Sequence, residues 1–211
     1  MRRKDHRPGG VPGRHYTGRH SSSPGASGER GVTVDPLLAK TLAERERRFQ
    51  RRTELGAQGL GTVVQLTITA PGIRKDGDDI RRAARWGARL LESRLTDLGL
   101  AYGNREWRDG DTGPCGFWVI FAPPLSVKGI TVGLEEGYSL GRLWDFDVYG
   151  PGNVKLNRES MGSDSRKCFI CGEPAAICAG RRLHSPEEVA NRFQELLQWG
   201  MEELETKGVF V

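Results

Sequence analysis

Residues 143–149, LWDFDVY, restrict the fold of this chain more than any other segment. Side chains alternate between the two faces of a β-strand, so Asp145 and Asp147 lie on one face and the apolar residues around them lie on the other. The apolar face must be covered, whereas two neighbouring carboxylates repel each other and are costly to bury without a partner. The segment therefore predicts a strand with one face in the core and an acid pair on the opposite face.

A divalent cation would relieve the repulsion between the two carboxylates. Mg²⁺ takes a few carboxylate oxygens and leaves its other positions to water and phosphate oxygens, so paired acids recur in enzymes that transfer phosphoryl or nucleotidyl groups. The pair follows a glycine-rich turn and resembles the metal-binding strand of the nucleotidyltransferase superfamily. We therefore predict that Asp145 and Asp147 bind Mg²⁺. The alternative is that both acids lie on the solvent-facing side of an edge strand.

Basic residues cluster on either side of the acid pair in the sequence. Phosphoryl chemistry needs cations that hold a polyphosphate and neutralise the charge developing on the leaving group. Ordinary surface charge is the alternative for each residue, so the cluster rather than any single member supports the prediction. The candidates are Arg142 before the strand and Lys155, Arg158, Arg166 and Lys167 after it.

Three of the four cysteines lie close together near the C-terminal end. Cys168-x2-Cys171 followed by glycine has the form of a zinc knuckle, and Cys178 with His184 would complete a tetrahedral Cys₃His zinc site. The alternative is that the cysteines pack beneath the last helix, with His184 as a cap or a phosphate ligand. The fourth cysteine, Cys115, is predicted to be a core residue.

The excess of positive charge lies in the N-terminal tail. The net charge is +5, and residues 1–32 hold seven Lys and Arg against two Asp and Glu, so residues 33–211 balance at 25 of each. The tail, rich in Gly, Pro and Ser, is predicted to be disordered. Because residues 33–211 carry no net charge, they lack the basic stripe of a nucleic-acid surface, and we expect no nucleic-acid partner.

No apolar run approaches a membrane span or a secretory signal, so we expect a cytoplasmic protein without a membrane partner.

The order of helical and strand patterns in residues 33–211 predicts an α/β (α+β) fold in a single domain. We expect a mixed sheet that carries the acid pair, between long helices at the N- and C-terminal ends. Residues 126–136 fit either a helix or a strand, because two glycines weaken both. Helices are predicted to begin near Asp35, Asp78 and Ser185, strands at 62–69, 117–121 and 143–149, and a buried stripe on the first helix at Leu38, Leu42 and Phe49.

Two runs of sequence together resemble the citrate lyase holo-acyl-carrier-protein synthase family, also called the apo-citrate lyase phosphoribosyl-dephospho-CoA transferases. The runs are GRLWDFDVYG at residues 141–150 and RKCFICG at residues 166–172. Their combination in this order is specific. The resemblance extends upstream to APGIRK at residues 70–75 and covers roughly residues 36–200.

The resemblance implies transfer of the 2'-(5''-phosphoribosyl)-3'-dephospho-CoA group from its triphosphate precursor to a serine of the citrate lyase acyl carrier protein, with release of diphosphate. It implies that Asp145, Asp147 and Arg142 are catalytic, and it adds Lys75 to the substrate-binding residues named above. Two alternatives stay open. One is a related nucleotidyltransferase that serves another carrier protein, such as that of malonate decarboxylase, and the other is a non-enzymatic zinc-containing binding module.

Overall fold

The computed structural model describes residues 35–208, so the predictions for the basic tail at residues 1–32 lie outside the described residues. Ten helices and strands follow one another in this part of the chain, together with three short 3₁₀ turns. They are α1 (Pro36–Ala57), β1 (Thr62–Ile68), α2 (Asp78–Asp97), β2 (Tyr102–Arg108), β3 (Cys115–Ile120), α3 (Pro124–Gly137), β4 (Trp144–Gly150), β5 (Val154–Leu156), α4 (Ala175–Arg181) and α5 (Pro186–Thr206).

The five strands form one sheet in the order β2-β3-β1-β4-β5, and every neighbouring pair is antiparallel. The predicted α+β class is confirmed, but the prediction of a mixed sheet is wrong. The reason lies in the two helical crossovers. α2 joins β1 to β2 and α3 joins β3 to β4, and in each case an antiparallel strand lies between the two parallel ones. These are split βαβ units, the arrangement of ferredoxin-like domains.

The main core lies between one face of the sheet and helices α2, α3 and α5. Trp144 of β4 is fully buried there, and its indole N–H donates to the carbonyl of Ala83 at 2.8 Å. Gly87 of α2 faces the same indole, because a Cβ at this position would lie 3.0 Å from the ring. The aromatic face of β4 is therefore covered as the alternation predicts.

Helix α3 resolves the ambiguity at residues 126–136. Val127, Thr131 and Leu134 are buried at helical spacing, so packing against the sheet outweighs the low helix propensity of Gly129 and Gly133. By contrast, β2 was not predicted, because its sequence YGNREWR is polar, half-exposed and interrupted by a register shift between Gly103 and Glu106.

Among residues 35–208, the opposite face of the sheet is covered only in part, by the C-terminal end of α1. Leu55 joins a second apolar cluster with Val63, Phe117 and Tyr149, and the predicted core residue Cys115 is confirmed there. The remaining α1 prediction is wrong, since three side chains of the expected stripe are about half exposed: Leu38, Leu42 and Phe49. Polar contacts position this part of α1 instead, including a hydrogen-bonded ion pair between Arg51 and Glu106 of β2.

Within residues 35–208, no helix has both the length and the apolar character needed to cross a bilayer.

Candidate functional site

The acid pair lies on the less covered face of the sheet, the one that α1 reaches. Residue burial alternates along β4 from Trp144 to Val148, as predicted. Asp145 stands opposite Thr67 of β1, and Asp147 stands opposite Gln65. The Asp147 side chain is 16% exposed and that of Asp145 is 45% exposed, so the pair is reachable from solvent mainly through Asp145.

Two of the predicted basic residues contact the acid pair directly. Lys155 of β5 places its Nζ 2.6 Å from Asp147 Oδ1, while the hydroxyl of Tyr149 donates to Asp147 Oδ2 at 3.2 Å. A guanidinium nitrogen of Arg166 lies 3.4 Å from Asp145 Oδ1. The structure thus brings Asp145, Asp147, Lys155 and Arg166 together, although they come from three separate segments of the chain.

Arg166 also binds the backbone of β4 next to the acid pair. Its guanidinium donates to the carbonyl oxygen of Trp144 and lies 3.4 Å from the hydroxyl of Thr69. These contacts fix the guanidinium at the start of β4. Arg166 is therefore held in place by its neighbours rather than by Asp145 alone.

Two buried polar side chains of α3, which the sequence did not reveal, form a polar group that hydrogen-bonds to the outer edge of β4. Glu135 accepts the backbone N–H of Phe146 at 3.0 Å, and Lys128 donates to the carbonyl of the same residue at 3.2 Å. Burial lowers the pKa of Lys128. The signal for both residues was their i, i+7 spacing on one helix face, which is visible only once residues 124–137 are known to be helical.

Arg158 contacts this buried group rather than the acid pair. Its guanidinium forms hydrogen-bonded ion pairs with Glu135 and Glu136. Its side chain is mostly buried, so the arginine joins the segment after β5 to α3. The structure therefore places Arg158 next to the polar support of β4.

The other three predicted basic residues bind elsewhere in the described part of the chain. Arg142 donates to the carbonyl of Lys167 at 2.7 Å, and burial lowers its pKa with help from nearby Arg166 and Arg158. The exposed Lys167 ammonium lies 3.9 Å from Asp164. Lys75 donates to the carbonyl of Ala70, and burial lowers its pKa.

Electrostatics at the acid pair favour a cation. The pKa of Asp145 lies above the usual range of an aspartate, because desolvation and the neighbouring Asp147 disfavour its charge more than Arg166 favours it. Two hard carboxylate oxygens on one exposed face fit Mg²⁺, which binds through one or two carboxylates and completes its shell with water and phosphate. The donor set therefore agrees with the predicted metal.

The predicted zinc ligands also come together in space. The sulfur atoms of Cys168, Cys171 and Cys178 and one ring nitrogen of His184 all lie within 4.8 Å of one another. Cys171 and Cys178 Sγ are 3.5 Å apart, and Cys168 Sγ accepts the backbone N–H of Ile170 at 3.4 Å. The cluster could hold a metal ion.

Thiol acidity differs within this cluster. Burial opposes ionisation of Cys168, but backbone N–H groups of Cys171 and Ile170 outweigh it and lower its pKa to about 7. Burial and the neighbouring sulfurs raise the pKa of Cys178 to about 12. Without a bound cation, the charge of one thiolate disfavours ionisation of the neighbouring thiol, just as the charge of Asp147 disfavours ionisation of Asp145.

Comparison with known proteins gives a consistent result. A family model described as apo-citrate lyase phosphoribosyl-dephospho-CoA transferase matches residues 37–199. Proteins of that name from Escherichia coli O1:K1 and Citrobacter koseri are each 31% identical to this chain over 160 residues, which is 76% of this chain and 87% of theirs. One from Shigella boydii serotype 18 is 33% identical over 135 residues, 64% of this chain and 74% of its own.

Proposed function

The chain belongs to the family of apo-citrate lyase phosphoribosyl-dephospho-CoA transferases, and on that premise we propose a reaction for its acid pair. The protein transfers the 2'-(5''-phosphoribosyl)-3'-dephospho-CoA group from its triphosphate precursor to a serine of the citrate lyase acyl carrier protein. Diphosphate is released, so the reaction is a nucleotidyl transfer. The observation that carries this proposal is the acid pair with Lys155 and Arg166 on the less covered face of the sheet.

Asp145 and Asp147 would hold Mg²⁺ in this reaction. When bound, the ion supplies neutralisation of phosphate oxygens and so lowers the charge barrier to attack. Lys155 is half exposed and has a flexible side chain, which lets its ammonium exchange Asp147 for a phosphate oxygen. Arg166, already fixed on Trp144, can take up charge on the triphosphate next to Asp145.

The bond changes follow from this arrangement. The serine oxygen attacks the phosphorus nearest the ribose, a new P–O bond forms, and the bond from that phosphorus to the diphosphate oxygen breaks. One aspartate of the pair accepts the serine proton. Arg142, Lys75, Arg158 and Lys167 are the further substrate-binding residues of the proposal, for the triphosphate and the departing diphosphate.

The test is the intact mass of the acyl carrier subunit of citrate lyase after incubation with this protein, Mg²⁺ and the triphosphoribosyl-dephospho-CoA precursor. We expect a mass gain equal to one phosphoribosyl-dephospho-CoA group. The carrier subunit of malonate decarboxylase is included as a second acceptor. Modification of that carrier alone would keep the chemistry and replace the partner, and modification of neither carrier would refute the transferase proposal.

Asp147→Asn tests the role of the acid pair. We expect turnover to fall by at least about 100-fold, because the variant loses a charged metal ligand while its shape is preserved. Asp111→Asn is the matched control, since Asp111 is exposed and pairs only with Lys40 of α1 among the described residues. Thermal melting checks that both variants fold. Wild-type turnover in Asp147→Asn would remove this residue from the mechanism.

A further inference from the structure

The turn at residues 168–172 has the backbone geometry of a zinc knuckle. Gly172 adopts a positive φ of 80°, and its N–H donates to the carbonyl of Cys168 at 3.1 Å. The N–H of Cys168 donates in turn to the carbonyl of Glu173 at 2.6 Å, and Lys167 forms a β-bridge with Pro174. These bonds curl the chain so that the first two cysteines project the same way.

The other two ligands reach the same point from the segment that joins α4 to α5. Cys178 lies in α4 and is buried. Arg182, in the left-handed conformation with φ 50°, ends α4 and turns the chain toward His184, one residue before the N-cap of α5. The cluster thus joins the knuckle to the start of the last helix.

An orphaned nitrogen supports a metal independently of the sulfur spacing. His184 Nε2 is buried and has no hydrogen-bond partner among the described residues. A buried ring nitrogen without a partner is costly, and coordination would satisfy it. Tetrahedral zinc with bonds of about 2.0 to 2.3 Å spaces its ligand atoms about 3.8 Å apart, which fits a cluster whose atoms all lie within 4.8 Å.

We propose that Cys168, Cys171, Cys178 and His184 bind one structural zinc ion, and that this ion positions Arg166 and Arg142 for the triphosphate. Thiolate and imidazole ligands select zinc over magnesium, and four protein ligands leave no open position for substrate. The site is therefore distinct in chemistry from the acid pair and takes no part in bond making.

The connection from the zinc site to the arginines is short. The carbonyl of Arg166 accepts the N–H of Ala175, the first residue of α4. The carbonyl of Lys167, adjacent to Cys168, accepts the guanidinium of Arg142 at 2.7 Å. If the knuckle opens, both carbonyls lose their donors, and the Arg166 side chain loses the fixed backbone from which it reaches Trp144 and Asp145.

Metal content of the full-length chain, purified under reducing conditions, tests the site directly. We expect one zinc ion per chain by elemental mass spectrometry, and at least a tenfold loss of zinc in Cys171→Ser. Cys171 is the exposed cysteine of the cluster, so its replacement opens no cavity in the core. The matched control is Cys115→Ala, which removes the cysteine outside the cluster and should retain one zinc.

Three results from metal analysis and intact mass would overturn the zinc site. They are wild-type protein without stoichiometric metal, Cys171→Ser with wild-type zinc, and an intact mass that shows a Cys171–Cys178 disulfide in the reduced preparation. Exchange of the metal for Co²⁺ gives a second readout that needs no variant, because tetrahedral thiolate coordination has its own visible absorption. A Co²⁺ spectrum without thiolate bands would also contradict the proposal.

The positioning role rests on the proposed function and has a separate readout. Removal of zinc with a chelator should lower the Tm, and Zn²⁺ but not Mg²⁺ should restore it. In the transfer assay with Mg²⁺ resupplied, zinc-free protein should show at least a tenfold higher KM for the triphosphate precursor. An unchanged KM would overturn the positioning role. Failure of the zinc-loaded protein to transfer would refute the proposed function and leave the metal result intact.

Discussion

Asp145 is expected to destabilise the metal-free protein at neutral pH. Its pKa is raised in the folded state, so the folded protein binds more protons than the unfolded chain between the two pKa values, and stability falls as pH rises through that window. Asp145→Asn removes this penalty. In the presence of a chelator the variant should therefore have a higher Tm than wild type at pH 7.

The advantage of Asp145→Asn should vanish below the pKa of an unfolded aspartate, where wild type also carries a neutral group in both states. Thermal melts across the acidic range check this sign. A variant that melts below wild type at pH 7 would show that the contact with Arg166 outweighs desolvation and the charge of Asp147.

Glu135 and Glu136 both bind Arg158, but only one of them is expected to matter for stability. The Glu135 side chain is 5% exposed and that of Glu136 is 57% exposed. Glu135→Gln removes the buried carboxylate from Arg158 and leaves only the exposed Glu136, so it should reduce the free energy of unfolding by up to about 3 to 5 kcal/mol. Glu136→Gln should cost less than about 1 kcal/mol. Urea titration compares the two, and equal losses would contradict the burial argument.

At the residue scale, the sequence placed Asp145 and Asp147 on one face of β4, and the structure brings Lys155 and Arg166 next to them. Alternation along β4 sets the face of Asp145 and Asp147 locally, so no tertiary information was needed. Glu135 could not be found in the same way, because its role depends on α3 packing against the open edge of β4.

Gly200 of α5 is expected to be essential for the contact between this helix and the turn before β4. A Cβ on Gly200 would lie 2.6 Å from the Cβ of Leu140 and 2.7 Å from its backbone nitrogen. Gly200→Ala should therefore cost about 1 to 3 kcal/mol through overpacking.

The control for Gly200 is Gly133→Ala. Gly133 lies in α3, and apart from its chain neighbours and the adjacent helix backbone, no heavy atom of the described residues lies within 4 Å of the point that an alanine Cβ would occupy there. Alanine should therefore stabilise the helix by roughly 0.5 to 1 kcal/mol. Chemical denaturation of the two variants should give opposite signs. A stable Gly200→Ala protein would mean that α5 can shift away from Leu140 without loss.

At the element scale, local signals were sufficient wherever an element carries its own cap or apolar pattern. The capping box of Ser185 and Glu188 begins α5 where it was predicted. The face of α1 was mispredicted, because its position depends on charge partners such as Glu106 that are distant in sequence. The sheet order was also inaccessible, since strand insertion between β1 and β2 leaves no local trace.

At the scale of the whole molecule, charge balance predicts the behaviour of residues 33–211 toward nucleic acid. Several body arginines form ion pairs, among them Arg51, Arg81 and Arg85. A chain lacking residues 1–32 should therefore show no salt-dependent binding to DNA or RNA, whereas any such binding by the full chain should fall steeply with salt. Retention of binding by the shortened chain would favour the binding-module alternative.

Strand β4 contributes side chains to both faces of the sheet: Trp144 and Phe146 lie in the core, and the two aspartates lie on the other face. A shift by one residue exchanges the two sets of side chains. A single inserted or deleted residue within β4 would thus bury the acids and expose the aromatics together. An exchange of one apolar side chain for another leaves this register unchanged, so β4 should tolerate such substitutions far better than any change in its length.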